Sequence, residues 1–320
     1  MPTSSVRLMY DALTQALPNA IGRSYRELPF ESGGIVPTEA NLEAGVEFVT
    51  EDILTEQGEA LILADTMDIP VVHVGMTKDR YPVYMVAAGF YFTFKSTRSL
   101  RRAGQYDRIA DRQLANVRRA IAERLNRFAA VGDIRLNQRG FLNNNLVPVR
   151  ANSIDLTDGG LTANQLREFV IEGLWYTYRD RTGHTKWPAK LLISSNLYER
   201  LTLLLMPDSA MSVLDSVLET INAGGASGGG MSLEIQYAPE CDAQFLEANG
   251  VFAPGTGKDR LVFHPGDYET AHREVELFDL IPEDWLGSET GKKKFAGFQC
   301  STPTIWTQPT NGLYMDVVSA

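Results

Sequence analysis

The chain has 320 residues, 44% of them hydrophobic and 22% charged, with 30 Lys+Arg against 40 Asp+Glu for a formal net charge of −10. That apolar content can bury a large core and excludes disorder over most of the length, and at about 150 residues per domain it leads us to expect two domains. The negative balance excludes nonspecific condensation of nucleic acid, which needs a positive field. The two cysteines, Cys241 and Cys300, make no disulfide framework and suit a reducing cytosol. No secretory signal is expected at the start, and no run reaches the ~20 apolar residues of a membrane span.

Residues 1–38 are interrupted by Pro18, Pro29, Gly33, Gly34 and Pro37, with one short helical stretch expected over 6–17. An acidic, partly extended region follows. From Glu27 to Thr77 there are 11 acids, among them Glu51, Asp52, Glu56 and Glu59, and no Lys or Arg. Strands are expected over 69–74 and 81–94, the second because Phe90, Phe92 and Phe94 alternate with Tyr91 and Thr93. Between them 75–80, which contains Lys78, reads as a loop tip.

The spacing of Ile109, Leu114, Val117, Ile121, Leu125 and Phe128 predicts a helix over 107–131, about 35 Å long and ended by Gly132. From Arg98 to Arg127 nine arginines, including Arg101, Arg102, Arg118 and Arg119, stand against three acids, so this segment carries +6 in a chain of −10. Further on, Thr162-Ala163-Asn164-Gln165 is a capping box that starts a helix reaching about Tyr178. A strand at 190–193 and helices opening at Asn196 and Ser212 come next, then a flexible Gly/Ser loop at 224–230. Strands are expected at 233–237, 260–264, 275–280, 304–307 and 314–318. The irregular alternation favours an α+β fold over a doubly wound sheet.

Few motifs carry chemistry. Gly225-Ala226-Ser227-Gly228-Gly229 matches a serine-nucleophile pattern, with Asp259 and His264 or His272 in hydrolase order, but a helix precedes it where a strand-to-helix turn is required. Gly255-Thr256-Gly257-Lys258-Asp259 has the wrong spacing for a phosphate loop and places an acid after the lysine. His73, His184, His264 and His272 lack zinc-site spacing, and the acidic run lacks the order of a calcium loop, so no metal or cofactor is expected.

The order of several segments resembles the tailed-bacteriophage major capsid proteins of the Hong Kong 97-type fold. They include Asp65-Thr66-Met67-Asp68-Ile69-Pro70-Val71-Val72, the strand at 89–94 running into Ser99-Leu100-Arg101-Arg102-Ala103, and the helix end Asn126-Arg127-Phe128-Ala129-Ala130-Val131-Gly132-Asp133. Gly140-Phe141-Leu142-Asn143, Trp187-Pro188-Ala189-Lys190-Leu191-Leu192-Ile193-Ser194, Ala296-Gly297-Phe298 and Pro303-Thr304-Ile305 continue the match. The resemblance implies an N-terminal arm at 1–38, an extended hairpin (the E-loop) at 39–95, and a peripheral domain with a spine helix at 96–150. It further implies an axial domain at 151–260 and a return at 261–320 whose last strand joins the peripheral sheet. It implies a shell of hexamers and pentamers around double-stranded DNA, with a separate scaffolding protein, a portal and a decoration protein as partners. Assembly would take place in the bacterial host cytoplasm, with no membrane.

Acids such as Glu51, Asp52, Glu56 and Glu59 are expected to face Arg101, Arg102, Arg118 or Arg119 of a neighbouring copy. Some relatives join subunits by a lysine–asparagine bond. Lys78 and Asn143–Asn145 are the candidates here, but no acidic catalyst can be assigned and no crosslink is expected. The alternatives are an encapsulin-type compartment shell, a serine hydrolase using Ser227, and a tail or connector protein.

Overall fold

The computed structural model describes residues 27–31, 34–57, 73–102, 106–150, 154–207, 209–226, 231–281 and 292–319. The helix expected at 6–17, the first four residues of the strand at 69–74, and Ser227 lie outside them. In chain order the elements are β1 (Thr38–Glu39), β2 (Phe48–Gln57), β3 (His73–Pro82), β4 (Tyr84–Thr93), α1 (Phe94–Arg102), α2 (Tyr106–Val131), β5 (Val149–Arg150), α3 (Ala163–Tyr176), β6 (Lys190–Ile193), α4 (Ser195–Leu203), α5 (Val213–Ala226), β7 (Glu234–Tyr237), α6 (Ala243–Ala248), β8 (Lys258–His264), β9 (Ala271–Glu274), β10 (Asp279–Leu280), β11 (Lys292–Ser301), β12 (Ile305–Trp306) and β13 (Leu313–Val318). This is the mixed α+β architecture that the sequence implies.

A five-stranded mixed sheet in the order β5-β13-β8-β6-β7 forms the centre. Its three inner strands, β13, β8 and β6, carry apolar runs such as Leu191–Ile193 and Leu261–Phe263 because both their faces are covered. Leu191, Ile193, Leu261, Phe263, Leu313, Met315 and Val317 meet Leu166, Val170 and Leu174 of α3, Leu197 and Leu201 of α4, and Val213, Val217 and Ile221 of α5. The alternate residues Leu192, Val262 and Tyr314 point the other way, into a second core with Phe30, Phe141, Trp306 and Ala129–Val131 at the end of α2. The capping box at Thr162 and Gln165 forms as expected, but α3 widens after Tyr176 into a π turn, Thr177–Arg181, where Thr177 Oγ1 donates to Gly173 O at 2.8 Å.

The second body is the sheet β10-β11-β4 with α2 laid across it. Val117, Ile121 and Leu125 bury against Val86, Ala88, Phe90 and Phe278, a four-residue spacing on one helix face. At 26 residues α2 is about 39 Å long. It ends at Gly132, whose φ of 71° and tight approach to Gln138 O leave no room for a Cβ.

Several expectations need correcting. Residues 75–80 are not a loop tip. They lie inside β3, which pairs with β2 from Phe48↔Pro82 to Gln57↔His73, so Lys78 sits opposite Asp52 in mid-hairpin. Gly75 and Asp79 carry local turn preference, and a ten-pair ladder outweighs it. The strand expected at 275–280 divides into β9 before it and β10 at its end, while α1 and the ten-residue β11 were not foreseen. The last strand, β13, pairs with β8 and β5 in the central sheet, and it is β11 that returns to β4. The expected boundary at 260/261 consequently falls inside β8.

A Cβ at Gly173 would lie 2.7 Å from both Met315 Sδ and Phe263 Cζ. Gly173→Ala should therefore lower stability by about 1–3 kcal/mol despite the better helix propensity of alanine, as read by urea denaturation.

Candidate assembly surfaces

Among the described residues the β2–β3 hairpin is a sheet of two strands, and Met76–Arg80 along it are all exposed. Such a ribbon is marginally stable by itself in water. Cross-strand pairs stiffen it: Arg80 lies over the Phe48 ring at 3.7 Å, and Lys78 Nζ is 3.2 Å from Asp52 Oδ1. The return strand thus sets Lys78 against Asp52 and Arg80 against the Phe48 ring. Glu51 faces the body instead. Its Oε1 lies 2.5 Å from His272 Nε2, and its Oε2 accepts from Thr307 Oγ1 at 3.2 Å. Glu56 stands opposite Val74 in the ladder, and Glu59 lies outside the described residues.

Arg98, Arg101 and Arg102 on α1, and Arg108, Arg112, Arg118 and Arg127 on α2, the long rod-like helix, are exposed. Arg101 lies over Tyr106 at 5.2 Å and Arg118 over Phe278 at 4.9 Å, stacking that holds the guanidinium groups in place while leaving them accessible. Arg119 pairs with Glu123 at 2.8 Å. Within one chain, Glu51 and Asp52 are matched to His272, Thr307 and Lys78, and Arg119 to its own helix. The far face of the sheet beneath α2 presents Met85, 63% exposed, and Tyr91, 59% exposed, cross-paired with Cys300 and Lys294.

A buried clasp fixes the root of the N-terminal arm to the rod. Asn126 Oδ1 accepts from Phe30 N at 2.9 Å and Glu31 N at 3.2 Å, while its Nδ2 donates to Glu240 Oε1 at 2.8 Å. Arg273 donates to Leu125 O and Glu31 O, and burial pulls its guanidinium down to about 10. None of these residues was singled out from the sequence. Asn126 could have been, as the one amide in the run Leu125–Val131, whereas Arg273 sits among other polar residues in His272-Arg273-Glu274 and gives no such signal.

The chemical motifs are absorbed by structure. Asp259 and His264 are five residues apart on β8, hence on opposite faces. Asp259 accepts from Ala243 N and Ser319 Oγ, both at 2.7 Å, and from Asn196 Nδ2 at 3.1 Å. His264 packs on Phe141, and burial, with Lys190 adding to it, drives its imidazole down to about 3. The acid–histidine pair of a hydrolase does not form from these residues. The backbone N–H groups of Gly255 and Gly257, which a phosphate would need, donate to Glu247 at 2.9 and 2.8 Å. Burial pushes the Cys241 thiol far up, and burial with Glu276 beside it takes Cys300 up to about 12, so both are poor nucleophiles. Asn143, a crosslink candidate, is occupied in the turn after α2, accepting from Gly140 N and donating to Val131 O.

A model of the major capsid protein family matches residues 58–251, more than half of the chain. The chain belongs to the major capsid protein family. No curated protein matches it. Among solved structures, the capsid of Myoviridae phage XM1 is similar at a TM-score of 0.72 and 12% identity over 96% of this chain and 97% of that one. The capsid of a native gene transfer agent particle is similar at 0.61 and 12% identity, covering 99% and 100%. Microbacterium phage Oxtober96 gives 0.59 at 11% identity, covering 99% of each chain. At these identities the likeness is one of fold, and that fold is the Hong Kong 97 type.

Replacing Asn126 by Ala would remove the acceptor of the buried Phe30 N–H and the half-buried Glu31 N–H, and one donor to Glu240. N126A in this capsid-family chain should cost about 2–4 kcal/mol and speed proteolysis next to Phe30, measured by urea melts and limited digestion.

Proposed function

We propose that the chain is the shell subunit of a tailed-phage head. It assembles with copies of itself into hexameric and pentameric capsomers that close an icosahedral shell around double-stranded DNA. The observation that carries this reading is the β2–β3 hairpin, ten residue pairs of two-stranded sheet that need a covering surface, in a chain that also exposes an arginine-studded rod. In a symmetric assembly every copy offers both surfaces to its neighbours. Asp52, Glu56 and Glu59, together with Glu51 nearer the root, would face Arg101, Arg102, Arg118 and Arg119 of the next copy. One exposed pair contributes only about 0.2–1 kcal/mol, but a shell repeats it in every subunit.

The excess of acid elsewhere suits a wall against which a motor packs DNA, since weak repulsion keeps the duplex free to spool. A scaffolding protein, a portal and a decoration protein complete the proposed set of partners, and assembly is placed in the host cytoplasm. An encapsulin-type compartment is the alternative, and purified particles distinguish the two: double-stranded DNA inside supports the phage head, an enclosed protein the compartment.

Arg118→Ala with Arg119→Ala should lower the yield of particles and weaken the dependence of assembly on ionic strength, scored by negative-stain microscopy and sedimentation across a salt series. Unchanged yield and an unchanged salt response would count against the pairing.

A further inference from the structure

We propose that the open edge of the central sheet is a docking site for the chain's own N-terminal segment, residues 19–26, which adds to β7 as a further strand. The inference does not depend on the shell reading. Among the described residues β7 is the last strand of the five-stranded sheet and pairs with β6 alone. Glu234 N donates to Ala189 O at 2.8 Å and Ala238 N donates to Ile193 O at 3.0 Å, so residues of this parity turn their backbone groups toward β6. Ile235 and Tyr237, of the other parity, turn their N–H and C=O groups outward. Among the described residues no backbone group pairs with these four. An edge left so is a template for another strand.

The edge opens into a groove. A cavity of about 600 Å³ lies along it, lined by Ile235, Gln236 and Tyr237 of β7, Ala122 of α2, Tyr198 of α4 and Glu27 at the arm root. The rings of Tyr198 and Tyr237 stand 5.3 Å apart on one wall, yet Tyr237 is still 54% exposed. On the β6 side Lys190 Nζ donates to Gly34 O at 2.8 Å, which holds the chain that follows the root against the sheet. A strand laid in this groove would run about 4.8 Å from β7, at the ordinary spacing of a ladder.

The place where the described chain begins identifies the occupant. Glu27 lines the groove, and the Asn126 clasp pins Phe30 and Glu31 just beyond it, so the residues before Glu27 are delivered to the edge. An adjoining segment of the same chain meets β7 at an effective concentration of millimolar order, which a second copy in dilute solution does not match. The sequence of the segment suits the place. Residues 19–26 contain no proline, so each can donate to a ladder, and Ile21 and Tyr25 share one parity. Residues 1–26 hold Arg7, Arg23 and Arg26 against one acid, Asp11, whereas the groove and its rim carry Glu27, Glu31 and Glu234. Arg119, the cation in the groove, pairs with Glu123.

Hydrogen exchange of the full-length chain, read by mass spectrometry on peptides covering residues 19–26, β6 and β7, tests the docking. Residues 19–26 and β7 should both be protected, and equally so in concentrated and dilute protein. A chain that starts at Glu27 should exchange about tenfold faster in the β7 peptide, with β6 unchanged. Tyr237→Pro removes one outward N–H and leaves the bonds to β6, because proline is tolerated on an edge strand. It should release residues 19–26, whereas Tyr237→Ala, which loses only the ring, should not. Exchange of residues 19–26 at the rate of an unstructured peptide, an arm deletion that leaves β7 unaltered, or equal release by Y237A and Y237P would overturn the proposal. So would protection that falls on dilution or arises only in assembled particles, which would assign the edge to a second copy. A docked segment in a chain that forms no particles would count against the shell reading alone.

Discussion

A two-stranded ribbon of ten residue pairs, with Met76–Arg80 exposed, is the constraint around which the rest of the molecule is arranged. Among the described residues neither a third strand nor a helix lies along it, and a ribbon left so is only marginally stable. What the chain itself supplies is a rigid mount. β1 leads into the hairpin and runs parallel to β9, and β9 is paired on its other side by β12. The root therefore springs from a small sheet whose central strand is fully buried.

That mount is tied to the rod by groups a core would normally exclude. α2 lies on one apolar sheet for most of its length and enters a second core with its last turn, so it couples the two bodies mechanically. Asn126, Arg273 and Glu240 lie beneath the chain entering from the N-terminal side, and their bonds run to its backbone and to the rod. Buried polar groups of this kind contribute little net stability when satisfied and cost heavily when one partner is lost. They fix one path for the arm root over other paths of similar apolar burial.

The motifs that look chemical in the sequence show how backbone geometry redirects side chains. The nest of N–H groups at 255–257 could hold an anion, and Glu247 is that anion. Asp259 is a latch between α6 and the C-terminal strand, and the parity of β8 turns it away from His264. Arg260, between them in sequence, makes a bidentate pair with Asp316 across the β8–β13 ladder and donates to Leu142 O. Each charge is used once, within the body. The rod, by contrast, keeps Arg108, Arg112, Arg118 and Arg127 exposed along its length.

The sequence by itself determined the elements whose periodicity is local: the rod, from the spacing of Val117, Ile121 and Leu125; the capping box at Thr162; and the apolar strands at 190–193 and 260–264. The order of its degenerate segments also pointed to the family. Only the tertiary structure decided that Lys78 lies opposite Asp52 in mid-ladder, that β11 and not β13 returns to β4, and that His272 meets Glu51. These facts depend on pairing between residues far apart in the chain. Strand register and partner choice are set by which faces can be buried together, and a residue's neighbours along the chain carry no record of that.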